Sequence, residues 1–172
     1  MTIYYKYNNI LSLANSLYSS SFYNEDEDNI ELKIQNDISI NYYVIKASYI
    51  KNNSFIFSLN YYIKDNNIKI DYLNINNDYY SNKFNENKIL TNNEYKLLKE
   101  AIFNYIETIA YKNDNQKLII DIHNNLERYN YELKEIGFIN TNRRCFDNHF
   151  WIEAEKILKN DYIINKNNNK YE

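Results

Sequence analysis

Proline is absent from this 172-residue chain, and glycine occurs once, as Gly137. The two residues that most readily bend or break a backbone are therefore nearly missing, and other residues must make the turns. A single cysteine, Cys145, excludes an internal disulfide and fits a reducing compartment. No apolar run approaches the roughly 18 residues that mark a membrane-spanning helix. The opening "MTIYYKYNN" lacks the apolar core of a secretory signal. No long basic stripe offsets the net charge of −3, which argues against a general nucleic-acid binder. The expectation is a cytoplasmic protein with neither a membrane nor a nucleic acid as partner.

What is present points to a folded chain. Apolar residues make up 44%, enough to bury a core, and the length suits one domain. Asparagine supplies about a fifth of the residues, far above ordinary usage, with isoleucine, tyrosine and lysine also abundant. These residues have A/T-rich codons, so the bias points to an A/T-rich genome: a virus, a phage, a mobile element or an A/T-rich cell. The same bias disfavours glycine and proline, so the one glycine that remains marks a constrained position. The twenty tyrosines either form a recognition surface or stand in for other large residues under the same codon pressure. Within this bias the sequon Asn52-Asn53-Ser54 reads as a chance match.

The pattern predicts a strand at 2–7 and a helix over 8–22, with Ile10, Leu13, Ala14 and Leu17 as its apolar stripe. The acidic stretch 23–29 reads as a solvated loop. Four runs rich in β-branched and aromatic residues follow, at 30–34, 38–50, 54–64 and 68–75. The breaks between them are short and built from Asn and Asp, which tolerate left-handed backbone, so an antiparallel meander is expected. After a polar loop at 76–90, Thr91 and Glu94 form a capping box for a long helix over 91–112, with apolar positions at i, i+4 spacing. "KLIIDIH" at 117–123 reads as a buried strand, and 124–136 as a second helix carrying Leu126, Tyr129, Leu133 and Ile136 on one face. Gly137 falls just past that helix, where left-handed backbone is needed. "FIN" and "HFWIEAE" then make a β pair around a polar turn, "TNRRCFDN". Residues 1–158 are expected to form one domain and 159–172 a frayed tail.

This order of elements, and in detail the stretch "KLIIDIHNNLERYNYELKEIGF", resembles the GNAT acyltransferase superfamily. In that family a strand ends near an Asn, and the helix after it closes in Leu- or Ile-Gly-Phe. The resemblance implies an α+β fold with a central, mostly antiparallel mixed sheet flanked by helices. It also implies acyl-CoA held at a glycine-rich turn before the long helix, where bare backbone amides meet the pyrophosphate. In this chain that turn corresponds to "NNEYKLL", residues 92–98, which has no glycine and sets Glu94 at the helix start. The family's tyrosine acid, four residues before the glycine, corresponds to Leu133.

The candidate residues follow from this comparison. His123, at the end of the apolar strand, and Tyr131 are the candidates for acid–base work, with a structural histidine as the alternative reading of the first. Asn93, Lys96, Lys99 and Asn124 are the candidates for holding a cofactor, with a solvated helix face as the alternative for the lysines. Arg143 and Arg144, placed in a turn beside Asp147, are candidates for binding an anion or an acidic partner. His149 and Cys145 lack a second ligand at metal-site spacing, so no metal is expected. The expected function is a non-catalytic binding or inhibitory protein on a GNAT-like scaffold, with a protein partner and no cofactor. An acyltransferase using acetyl-CoA and a small immunity or antitoxin protein are the alternatives.

Overall fold

The computed structural model describes residues 1–76, 89–123, 127–146 and 149–158. Among the described residues eight strands form one sheet, in the order β1-β2-β3-β4-β5-β6-β8-β7. The strands are β1 (Thr2–Tyr7), β2 (Ile30–Asp37), β3 (Tyr42–Tyr49), β4 (Phe55–Lys64), β5 (Asn67–Ile75), β6 (Lys117–His123), β7 (Ile139–Phe146) and β8 (His149–Ile157). The helices are α1 (Ile10–Ser19), α2 (Asn92–Lys112) and α3 (Glu127–Glu135). All neighbouring strands are antiparallel except β5 and β6, which run parallel because α2 carries the chain across between them.

The meander expected over 30–75 is present, and asparagine and aspartate do make its turns. Of the six non-glycine residues with positive φ among the described residues, five are Asn41, Asn53, Asp65, Asn66 and Asp114. Asp65 and Asn66 form the two-residue loop between Lys64 and Asn67, with φ of 51° and 60°, as a hairpin with right-handed strand twist requires. Two boundaries differ from the sequence pattern. Asn36 and Asp37 pair with Tyr43 and Tyr42 and so belong to β2. The turn falls instead on Ile38–Asn41, where Asp37 accepts hydrogen bonds from the Ser39 backbone and hydroxyl. That local bonding outweighs the β propensity of two isoleucines, which are left 73% and 63% exposed. The first helix is also shorter than its pattern, capped by the Asn9 side chain and ended by a left-handed Ser20.

At the C-terminal end the polar "TNRRCF" is strand. The register runs on through Arg143 opposite Ile152 and Arg144 opposite Trp151, with Thr141 as an extra residue. Arg143 and Arg144 are therefore on β7 and not in a turn, because pairing to an apolar inner strand overrides their turn-like composition. The stretch 77–88, Asn124, Asp147 and the tail 159–172 lie outside the described residues.

Helices α1 and α2 pack on one face of the sheet, and α3 joins α2 through Lys99 and Glu132. Tyr7 on β1 hydrogen-bonds Ser16 of α1 at 2.6 Å, Tyr61 on β4 meets Tyr105 of α2, and Phe103 of α2 packs edge-on against Phe138 at 5.7 Å. Between them lies a continuous core that includes Leu13, Leu17, Ile45, Leu59, Ile70, Ile102, Ile106 and Leu118, all buried. Gly137 has φ of +97°, and the amides of Gly137 and Phe138 close the helix on Lys134 and Leu133. Lys156 crosses beside this glycine to pair with Glu107 of α2, which ties β8, the end of α3 and the long helix together.

Two outcomes are expected. Gly137→Val lowers stability by more than about 1 kcal/mol in chemical denaturation, because a β-branched residue is strained at positive φ. The second concerns pH. Burial pushes the Tyr7, Tyr61 and Tyr105 hydroxyls upward, so the folded state holds these protons more tightly than the unfolded chain. That stability is complete below the ordinary tyrosine value near 10 and falls as pH rises past it. Tyr61→Phe flattens the alkaline limb of a denaturation series.

Candidate functional site

The parallel pairing of β5 and β6 is short. Ile68, Lys69 and Ile70 pair with Leu118, Ile119 and Ile120, after which the two strands part. β5 runs on to Ile75 and β6 to His123, unpaired with each other. The cause is local: the register between β4 and β5 shifts at Asn60/Tyr61, leaving Asp71 as an extra residue. Such a bulge bends its strand and increases the twist. The fork opens at the carboxyl ends of both strands, the end from which chain order sends the polypeptide toward α2 and α3. In sheets with parallel strands this is where ligands bind.

A polar network lines the fork on the face opposite the helices. Lys69 bridges from β5 to Asp121 on β6 at 2.9 Å, and the second oxygen of Asp121 is buried without a hydrogen bond. Asp71 accepts from the Tyr42 hydroxyl at 3.0 Å, and that hydroxyl accepts from Asn60 at 3.2 Å. Asn60 in turn accepts from Ser58 at 3.3 Å. Partial burial raises the Tyr42 hydroxyl above its ordinary range; Asn60 opposes this and Asp71 adds to it. The network thus offers two carboxylates, one ammonium and one phenol at the branch point. Sequence reasoning missed these residues. The only signal was a lone aspartate inside each of two apolar strands, "IKIDYL" and "KLIIDIH".

On the helix side, the start of α2 is closed by its own side chains. Thr91 Oγ1 accepts from the Glu94 backbone at 3.2 Å, and Glu94 Oε2 accepts from the Thr91 backbone and hydroxyl at 2.8 and 2.9 Å. The capping box read from the sequence is present, and it sets a carboxylate on the positive end of the helix. Asn93 and Lys96 are exposed on the first turns. Lys99 instead pairs with Glu132 of α3 at 3.3 Å, where its side chain is only 12% exposed, and Tyr95 donates to the same carboxylate at 3.2 Å. Its charge serves to join two helices.

His123 closes β6 in register with Trp151. Tyr131 lies on α3 and is 65% exposed, while Leu133 is buried in the core. The fold does not gather the candidate residues at one point. Asn93 and Lys96 stand on α2, His123 at the fork, Tyr131 on α3, and Arg143 and Arg144 on the last strand of the sheet. Among the described residues no group of three His, Cys, Asp or Glu is placed to hold a metal ion. No helix among them is long and apolar enough to cross a membrane.

No protein-family model matches the chain, and neither does any curated protein sequence. Solved structures do match. A probable acetyltransferase from Staphylococcus epidermidis is 12% identical, with 69% of each chain covered and a TM-score of 0.50. Nourseothricin acetyltransferase is 8% identical, with 92% of this chain and 85% of that one covered and a TM-score of 0.50. A GNAT-family chain from Desulfovibrio desulfuricans is 7% identical, with 68% and 69% covered and a TM-score of 0.50. Identities this low speak to architecture and leave chemistry open. The mixed sheet, its single parallel junction and the flanking helices give this chain a GNAT-like α+β fold.

Proposed function

We propose that this chain is a non-catalytic binding protein on a GNAT-like scaffold, acting inside the cell to block or protect a protein partner. The observation that carries the reading is the closed cap at α2. A pyrophosphate needs bare amides at a helix start, and here the Thr91 and Glu94 amides bond to Glu94 and Thr91 side chains. Glu94 adds repulsion toward a phosphate, and the chain has no glycine in this region to let a backbone approach closely. Lys99, which could have compensated, is committed to Glu132. The Asn- and Tyr-rich composition fits an A/T-rich virus, phage or mobile element as source.

The retained fork favours a second reading, an acyltransferase that holds acetyl-CoA through strand backbone. Residues 71–75 and 121–123 keep edges unpaired with each other, as a bound extended arm would require. There an amine would attack the thioester carbon, the carbon–sulfur bond would break with the thiolate leaving, and the amine proton would pass to a carboxylate such as Asp121.

Calorimetric titration with acetyl-CoA separates the two. The binding-protein reading expects a dissociation constant weaker than about 1 mM, or roughly −4 kcal/mol. Micromolar affinity would overturn it in favour of the acyltransferase. Glu94→Gln, which removes the charge at nearly constant size, should tighten whatever weak binding exists.

A further inference from the structure

At the mouth of the fork each strand is held by its own side of the sheet. On β5, Tyr72, Leu73, Asn74 and Ile75 pair with β4, and Asp71 is tied to β3 through the Tyr42 hydroxyl. On β6, Asp121, Ile122 and His123 pair with β8, and Lys117 bridges to Glu155 of β8 at 2.9 Å. Past Ile70 and Ile120 the two strands share no register pair, so widening the mouth breaks no strand pairing. The ion pair of Lys69 and Asp121 crosses this gap at 2.9 Å. Lys69 stands opposite Ile119 in register, and Asp121 lies two residues further along β6, a diagonal neighbour on the same face. The pair therefore reaches from the last paired positions toward the mouth.

We infer that Lys69 and Asp121 form a latch on the fork, which holds the mouth at its present spacing and releases it without loss of the surrounding sheet. The inference concerns access and stands apart from what the fork binds. The pair is built to hold weakly. Its side chains are 26% and 31% exposed, so salt and charged ligands compete for both partners. The second carboxylate oxygen of Asp121 is buried with no hydrogen-bond partner among the described residues. A buried acceptor left in that state reduces the net gain of the closed arrangement. On the opposite face Lys156 and Glu107 secure β8 to α2, so the back of the junction stays fixed when the front parts. The motion is a small splaying of two strand ends, with the three register pairs as its hinge. An extended ligand entering between 71–75 and 121–123 needs that room, and a charged group on it can replace one partner of the latch.

The test follows amide hydrogen exchange in the full chain without any ligand. Residues 68–75 and 118–123 are compared with the distant reference segments 30–34 and 43–47 in β2 and β3. Lys69→Met and Asp121→Asn each remove one charge at similar size. Each is expected to speed exchange at the fork by about threefold, the effect a partly exposed ion pair commands, with the reference segments unchanged. The double variant should go no further than the larger single effect, because both substitutions break the same pair. It leaves no lone charge, so it carries the comparison by itself where a single variant does not fold. Raising salt to about 1 M should move the unaltered protein toward the variants and leave the double variant in place. The latch is refuted by unchanged exchange at the fork, by equal acceleration in the reference segments, by additive single effects, or by an unaltered protein that ignores salt. Because exchange is read without ligand, its outcome is separate from that of the acetyl-CoA titration.

Discussion

Three register positions hold the two parts of this sheet together. Five antiparallel strands on one side and three on the other meet only where Ile68, Lys69 and Ile70 pair with Leu118, Ile119 and Ile120. So short a parallel contact is weak alone, and the protein reinforces it from both faces. On one, α2 spans the junction, with Tyr105 against β4 and Glu107 reaching Lys156 on β8. On the other, Lys69 and Asp121 bridge the two strands where their pairing ends. The position of the long helix, the opening of the fork and the placement of the last hairpin all follow from this junction.

The same junction makes the scaffold reusable. Strands that part can receive a ligand between them, and the fold alone does not choose its chemistry. In this chain the polar groups at the start of α2 bond within the protein. Helix α2 begins with a capping box that serves its own amides, and Lys99 joins α2 to α3 through Glu132. Leu133 packs in the core. Each of these contacts favours the stability of the helix pair.

A composition with one glycine and no proline shapes the rest. Left-handed turns fall to Asn and Asp, whose short side chains bond locally and so relieve part of the strain. Only at Gly137, where φ reaches +97° and the chain leaves α3 for β7 beside Lys156, does the backbone keep a residue without a Cβ. Edge protection is affected too, since without proline the last strand carries arginines instead.

Local chemistry made much of this legible in the sequence. The Thr91–Glu94 box, the i, i+4 stripe of α2, the apolar run of β6 and the glycine after α3 each depend on contacts within a few residues, and each stands where the pattern placed it. What depends on partners far along the chain was not legible. The turn moved from Asn36-Asp37 to Ile38–Asn41 because pairing with β3 extends β2, and Arg143 and Arg144 became strand because β8 pairs with them. The bulge at Asp71, the bridge from Lys69 to Asp121 and the hydrogen-bond chain through Tyr42 join residues up to 52 positions apart in strands that read as uniform apolar runs. Sequence determined the elements because hydrogen bonding and periodicity act locally. Only the tertiary structure decided the fork and the order of the strands, because both arise where strands distant in sequence meet or fail to meet.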